Sequence, residues 1–265
     1  MDLYWLEQIE TCVPQANGWL SPGEAAHLAG LRYAVRHNSW RLGRWTAKLA
    51  VASYLHLSHS FPALAKIEVR PAPSGAPEVF FENQLAPLTI SLSHREDRAI
   101  CVVAPAAVEL GCDLELIEPH SDAFIADYFV TEEQALVARQ PVADRPRFLA
   151  LLWSAKESAL KALRTGLRLD TRCVIVDLLS PPAASGWGEL QVRYAEGKIF
   201  HGWWQVADGM VRTVVAAPPP GPPIPLETTA RTPDGPPCNH DPRRFLETHD
   251  LCRATYGIAQ WPIRL

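Results

Sequence analysis

The hydrophobic period of this 265-residue chain switches from helical to alternating and then does so again, and that order restricts the fold more than any other feature. Ser21-Pro22-Gly23-Glu24 reads as a helix start: a serine cap, a proline at the first helical position, and a glutamate three residues on that closes a capping box. A longer helix is predicted over 36–57, where Trp40, Leu49, Val51, Ala52 and Leu55 are set among Arg44 and Lys48. Residues 66–70 then alternate at period two, and 78–81, 88–93, 98–104 and 108–116 read as further strands. Helical signals return with a second capping box at Thr131-Glu132-Glu133-Gln134 and an amphipathic stretch at 145–164. Strand-like segments follow at 173–178, 189–194, 199–206 and 210–216. Helices then strands, twice over, predicts an α+β fold of two similar halves, 1–108 and 109–217, each an antiparallel sheet packed with helices.

The C-terminal stretch breaks this pattern. Residues 218–237 hold nine prolines, which rules out a packed helix or a central strand and predicts an extended linker. A short helix is predicted within 242–256, so 218–265 reads as a proline-rich tail.

Charge and cysteine usage narrow the function. Twenty-five Lys and Arg against 29 Asp and Glu leave a net charge of −4, whereas a sequence-independent nucleic-acid binder is usually basic. Cys12, Cys101, Cys112, Cys173, Cys238 and Cys252 are scattered without a CxxC pair, which argues against zinc and against a disulfide framework. The opening MDLYWLEQIE lacks the basic and apolar regions of a secretory signal, and no run of eighteen apolar residues occurs. A cytoplasmic protein with no membrane and no nucleic-acid partner is the expectation.

Four patterns carry chemistry. Asp113 and Glu115 in Gly111-Cys112-Asp113-Leu114-Glu115 are two apart, so a strand points both carboxylates to one face. Two acids side by side repel unless a cation lies between them or water screens them, and magnesium prefers such oxygens. Trp153, Glu157 and Lys161 recur every four residues on the second long helix and share one stripe. Ser91-Leu92-Ser93-His94 ends a strand with hydroxyls and an imidazole, which can donate hydrogen bonds to phosphate. Arg36, Arg41, Arg44 and Lys48 give the first long helix a basic side, and arginine forks suit phosphate oxygens. Each pattern also has an ordinary reading as solvated surface charge, including a simple Glu157–Lys161 pair one helical turn apart.

Their order along the chain is more specific than any one of them. The helix segment Arg41-Leu42-Gly43-Arg44-Trp45-Thr46-Ala47-Lys48, the Ser93-His94 strand end, the Gly111–Glu115 strand and the helix Trp153-Ser154-Ala155-Lys156-Glu157-Ser158-Ala159-Leu160-Lys161 together resemble the 4'-phosphopantetheinyl transferase superfamily, of the two-domain Sfp type. The resemblance covers roughly residues 20–216. It implies a pair of pseudo-twofold related α+β halves with coenzyme A between them. It implies Mg²⁺ held by Asp113, Glu115 and Glu157 against the coenzyme A diphosphate, with Lys161 touching that diphosphate and Ser93 and His94 on the 3'-phosphate. Arg36 and Arg44 are further candidates for phosphate contact or for orienting the site. The expected reaction moves phosphopantetheine onto a serine of an apo acyl or peptidyl carrier protein and releases 3',5'-ADP, with Glu157 as base and the enzyme monomeric, as a holo-[carrier protein] synthase. Two departures stand out. Ala76 replaces the cation of the family's GKP or GRP turn, and Arg95 follows His94 where a small hydroxyl residue is usual, so Arg95 is a candidate to replace the missing coenzyme A contact. Glu24 and His27 stand where some relatives carry lysines. The alternatives are a degenerate binder of coenzyme A or carrier protein, and another Mg-dependent phosphate-ester hydrolase.

Overall fold

A computed structural model of the chain describes residues 1–165, 168–183 and 185–228. Strand β1 (Tyr4–Ile9) precedes helices α1 (Pro22–Ala29), α2 (Ala34–Tyr54) and α3 (Phe61–Leu64), then strands β2 (Ile67–Pro71), β3 (Pro77–Phe81), β4 (Gln84–Leu85), β5 (Leu88–Arg95), β6 (Arg98–Pro105) and β7 (Glu109–Leu116). Helices α4 (Asp122–Tyr128), α5 (Thr131–Ala138) and α6 (Arg145–Ala162) follow, then strands β8 (Val174–Leu178), β9 (Gly188–Tyr194), β10 (Ile199–Ala207), β11 (Met210–Ala217) and β12 (Ile224–Pro225). The class is α+β, as the helix and strand order predicts.

Three sheets form. Their strand orders are β12-β1-β6-β5, β7-β11-β10-β9-β8 and β2-β3-β4, so the first part of the chain holds two sheets where one was expected. Period two sorts the strands into layers. On β6, Cys101 and Val103 pack with Leu49 and Trp45 of α2, while Ile100, Val102 and Ala104 face the other way. That second face meets Leu110, Cys112, Leu114 and Val214 of the five-stranded sheet. The far side of the five-stranded sheet, with Val192, Val211 and Val215, packs under Ala155 and Leu160 of α6. The two sheets therefore lie face to face between α2 and α6. Strand β1 escapes a sequence reading for the same reason: Trp5 joins the core between the sheets and Leu6 the core under α2, so apolar residues point both ways and no alternation shows.

Buried ion pairs anchor both long helices. Glu24, at the third position of α1, accepts the Ser21 N–H at 3.1 Å and the Val69 N–H at 3.1 Å, and pairs with Lys48 of α2 at 2.5 Å. Glu133 of α5 repeats the device, accepting the Val130 N–H and the Val176 N–H at 3.2 Å each and pairing with Lys156 of α6 at 2.8 Å. Helix α5 starts at Thr131, so Val130 and not Thr131 is its cap. The valine side chain has no acceptor, so in place of the expected Thr131–Gln134 box only the bond from the Val130 N–H to Glu133 exists. A third buried group ties the sheets together: Arg212 of β11 donates to Glu7 of β1 at 2.6 and 2.8 Å, and Arg98 of β6 adds a bond to Glu7 at 3.0 Å.

The start of the proline-rich tail is not a free linker. Gly221 donates to Met1 O at 2.9 Å, and Ile224 and Leu226 donate to Leu3 O and Trp5 O at 2.8 Å each, so the segment adds a parallel edge strand to β1. The donors are the residues between the prolines, and proline is tolerated there because an edge strand leaves one row of its groups unpaired. The predicted helix within 242–256, with Cys238 and Cys252, lies outside the described residues. Cys101, Cys112 and Cys173 are free thiols. Among the described residues no helix is long and apolar enough to cross a membrane.

Candidate active site

Strand β7 and helix α6 build the site together, and Gly111 sets their spacing. A Cβ on Gly111 would stand 1.7 Å from the Ser158 carbonyl oxygen, so only glycine lets the helix lie this close to the strand. Asp113 and Glu115 follow at period two on the same face, which brings them under Lys161 and Trp153. Ser154 and Ser158 fix the register from the next strand: the Thr213 hydroxyl lies 2.8 and 2.7 Å from their hydroxyls, all buried.

Asp113 is the hub. Its Oδ1 accepts from Lys161 Nζ at 2.7 Å and from Ser93 Oγ at 2.8 Å, while Lys161 also donates to Cys112 O at 3.0 Å. Strand β5 supports this junction twice, because Ser91 Oγ accepts the Cys112 N–H at 2.9 Å. Glu115 Oε1 accepts the Trp153 indole N–H at 3.1 Å, and its Oε2 faces Arg95 Nε at 3.7 Å. Arg95 also pairs with Glu118. Phe124 and Tyr128 meet the Trp153 ring edge to face, each at 5.1 Å, so the indole is held as it points at Glu115.

Two carboxylate oxygens at this junction, Asp113 Oδ2 and Glu157 Oε1, are buried with no hydrogen-bond partner among the described residues. Such atoms are costly unless something positive or protic meets them. The electrostatic environment agrees. Burial and the neighbouring Asp113 charge push Glu115 up to about 7, against the pull of Arg95, Trp153 and Lys161. Burial and Asp113 also raise Glu157, with Lys161 opposing. Burial works against the Lys161 ammonium, yet Asp113 keeps its pKa above the ordinary lysine value. His94 is lowered by loss of water and by the Lys161 charge, with Asp113 opposing. A cluster with more negative charge than its partners neutralise favours a bound cation.

The sequence-predicted residues do not all gather here. Ser93, Asp113, Glu115 and Lys161 join one network, Arg95 touches it through Glu115, and His94 and Glu157 feel the charges of Lys161 and Asp113. Asp113, Glu115 and Glu157 do not close as a cage: among the described residues no group of three or more His, Cys, Asp or Glu could hold a metal ion on its own. Lys161 and Ser93 occupy Asp113 Oδ1, and Trp153 and Arg95 engage Glu115, which leaves Asp113 Oδ2 and Glu157 Oε1 as the open positions. Mg²⁺ commonly binds through one or two carboxylates and completes its shell with water and substrate phosphate, so this donor set fits it. Lys161 turns to Asp113, and no simple Glu157–Lys161 surface pair forms.

Part of the basic side of α2 is engaged inside the fold. Lys48 is fully buried and donates to Trp19 O at 2.9 Å and Leu64 O at 3.1 Å besides pairing with Glu24. Arg41 donates to Pro14 O and Gln15 O. Arg44 lies 3.7 Å from Glu24 and stacks 5.0 Å over the Trp40 ring. Arg36 is exposed and makes no hydrogen bond or ion pair with a described residue. Ala76 sits in the β2–β3 turn, its carbonyl accepting the Ala72 N–H at 2.8 Å. Trp153 and Ser91 act more directly than their sequence patterns suggest. The helical stripe that singled out Glu157 and Lys161 also contains Trp153, and period two on β5 puts Ser91 on the same face as Ser93.

No curated protein sequence matches the chain. Among solved structures, the Helicobacter pylori holo-[acyl-carrier-protein] synthase in complex with coenzyme A is similar at 20% identity and a TM-score of 0.31, over 39% of this chain and 99% of that one. Residues 109–204, which run from the start of β7 through α6 into β10, match the family model of the 4'-phosphopantetheinyl transferase superfamily. On that match, this part of the chain belongs to the 4'-phosphopantetheinyl transferase superfamily.

Proposed function

We propose that the chain transfers the 4'-phosphopantetheine group of coenzyme A to a serine of an apo acyl or peptidyl carrier protein, as a two-domain, Sfp-type enzyme. The observation that carries this reading is the pair of buried, unpartnered oxygens on Asp113 and Glu157 beside Lys161, within the matched residues 109–204. Coenzyme A lies between the halves 1–108 and 109–217, and the enzyme works as a cytoplasmic monomer.

Asp113, Glu115 and Glu157 would hold Mg²⁺. When bound, the metal supplies positive charge to the diphosphate and to the departing oxygen. The rest falls to the chain's own groups. Lys161, held charged by Asp113, contacts the diphosphate. Ser93 and His94 receive the 3'-phosphate at the end of β5, and Arg36, Arg44 and Arg95 are the remaining candidates for phosphate contact. The carrier serine oxygen attacks the β-phosphorus, its proton goes to Glu157, and the bond to 3',5'-ADP breaks. Phosphoryl transfer depends mainly on positioning and charge stabilisation. Glu157, with its raised pKa and a free oxygen, suits the role of proton acceptor.

The test is an intact-mass measurement. The protein is mixed with Mg²⁺, coenzyme A and apo carrier proteins, and the carriers are weighed. Gain of one phosphopantetheine, absent with EDTA and in Asp113→Ala, is the expected result. Release of 3',5'-ADP without any carrier would instead indicate a hydrolase. Coenzyme A binding with no mass gain on any carrier would indicate a degenerate binder.

A further inference from the structure

Arg95 is the one site residue whose partners are both acids. Its Nε faces Glu115 Oε2 at 3.7 Å, and its Nη2 donates to Glu118. The Arg95 side chain is about two-fifths exposed, though its Nε is buried, whereas Glu115 is mostly buried and has Asp113 two residues away. Trp153 fixes the other oxygen of Glu115 at 3.1 Å, so the carboxylate cannot swing away from this arrangement freely. Arg95 thus stands on the open side of a carboxylate that a divalent cation would need, with Glu118 able to hold it when it withdraws.

We propose that Arg95 is a resident counter-cation of this site, neutralising Glu115 in the metal-free protein and yielding to a divalent cation by retreating onto Glu118. The inference rests on the proposed metal site. It changes what Arg95 does: the side chain sets how tightly the site takes a metal ion instead of serving first as a coenzyme A contact. It also assigns Glu118, which no sequence pattern singles out, as the parking position. Two cations cannot share one carboxylate face without mutual repulsion, so occupation by one weakens the other.

The experiment measures Mn²⁺ binding by calorimetry, without coenzyme A and without turnover, in wild type, Arg95→Ala, Glu118→Gln, the double variant and Asp113→Asn. Arg95→Ala should bind Mn²⁺ roughly two- to tenfold more tightly, the range expected for loss of one partly exposed charge. Glu118→Gln should weaken binding, because Arg95 then rests on Glu115 alone, and this effect should shrink in the Arg95→Ala background. Arg193→Ala is the control for net charge. It removes an equal charge from an arginine paired with Asp177 on the far strands of the sheet, and should leave the affinity unchanged. Mn²⁺ affinity that is unchanged or lower in Arg95→Ala, with binding still abolished in Asp113→Asn, would overturn the role of Arg95 and leave the metal site standing. Equal Mn²⁺ binding in wild type and Asp113→Asn would overturn the metal site itself, and this inference with it.

Discussion

Lys156 and Glu133 form an ion pair of 2.8 Å in which neither side chain reaches water. Lys156 also donates to Thr171 O at 3.0 Å and Val174 O at 2.5 Å, so one ammonium ties α6 to α5 and to the start of β8. Removing one member of a buried pair leaves the other charge uncompensated, and Lys156→Met should destabilise the fold by about 3–5 kcal/mol. Lys48→Met should cost less, because Glu24 keeps Arg44 at 3.7 Å as a second cation. Urea denaturation of both variants measures the difference, and equal losses would show that Arg44 gives Glu24 no support.

Gly111→Ala tests the close approach of α6 to β7. The added methyl meets the Ser158 backbone, which cannot turn aside as a side chain would. Overpacking of this kind costs about 1–3 kcal/mol or more. Since the same approach sets Lys161 against Asp113, thermal stability and transfer should fall together.

Glu157→Gln should separate the two. Burial and Asp113 both disfavour the Glu157 carboxylate, so the neutral amide should leave thermal stability unchanged or slightly higher. Transfer should fall by about a hundredfold or more if the carboxylate accepts the serine proton. Near-normal turnover would remove Glu157 from the mechanism.

Acid stability should report on Glu7. Burial favours its neutral form, but the hydrogen bonds and charges of Arg212 and Arg98 outweigh this and hold its pKa below the unfolded value of 4.5. A group lowered in the folded state stabilises fully above the unfolded value and loses that contribution as pH falls through the folded one. Denaturation midpoints should therefore drop below about pH 4.5. Glu7→Gln should be less stable at neutral pH and show a shallower acid decline.

The proline-rich edge strand offers a simpler test. A chain ending at Thr228 keeps the bonds from Gly221, Ile224 and Leu226 to β1, and one ending at Ala217 loses all three. The shorter chain should melt at a lower temperature than the one ending at Thr228, since each such bond contributes about 0.5–1.5 kcal/mol net.

Much of this was legible in the residues. Period two on β7 put Asp113 and Glu115 on one face, and the four-residue spacing on α6 put Trp153, Glu157 and Lys161 on one stripe, because these are local geometries that every strand and helix repeats. Ser21 and Glu24 announced α1 because a capping box is closed within four residues. The strands of the second sheet fell within a residue or two of their predicted bounds, from 174–178 to 210–217.

What the sequence could not decide depends on partners distant along the chain. Whether Lys48 is a phosphate ligand or a buried tie was settled by Glu24, and whether Lys161 pairs with Glu157 or Asp113 was settled by the close seat of α6 on Gly111. Strand β1 was hidden because both its faces are covered, and the proline-rich segment forms a strand where β1 offers it an edge. By itself the sequence determined which side chains share a face, since that follows from backbone geometry. Only the tertiary structure decided which charges are spent on the fold and which remain for chemistry, because the energy of a charge depends on what is packed against it.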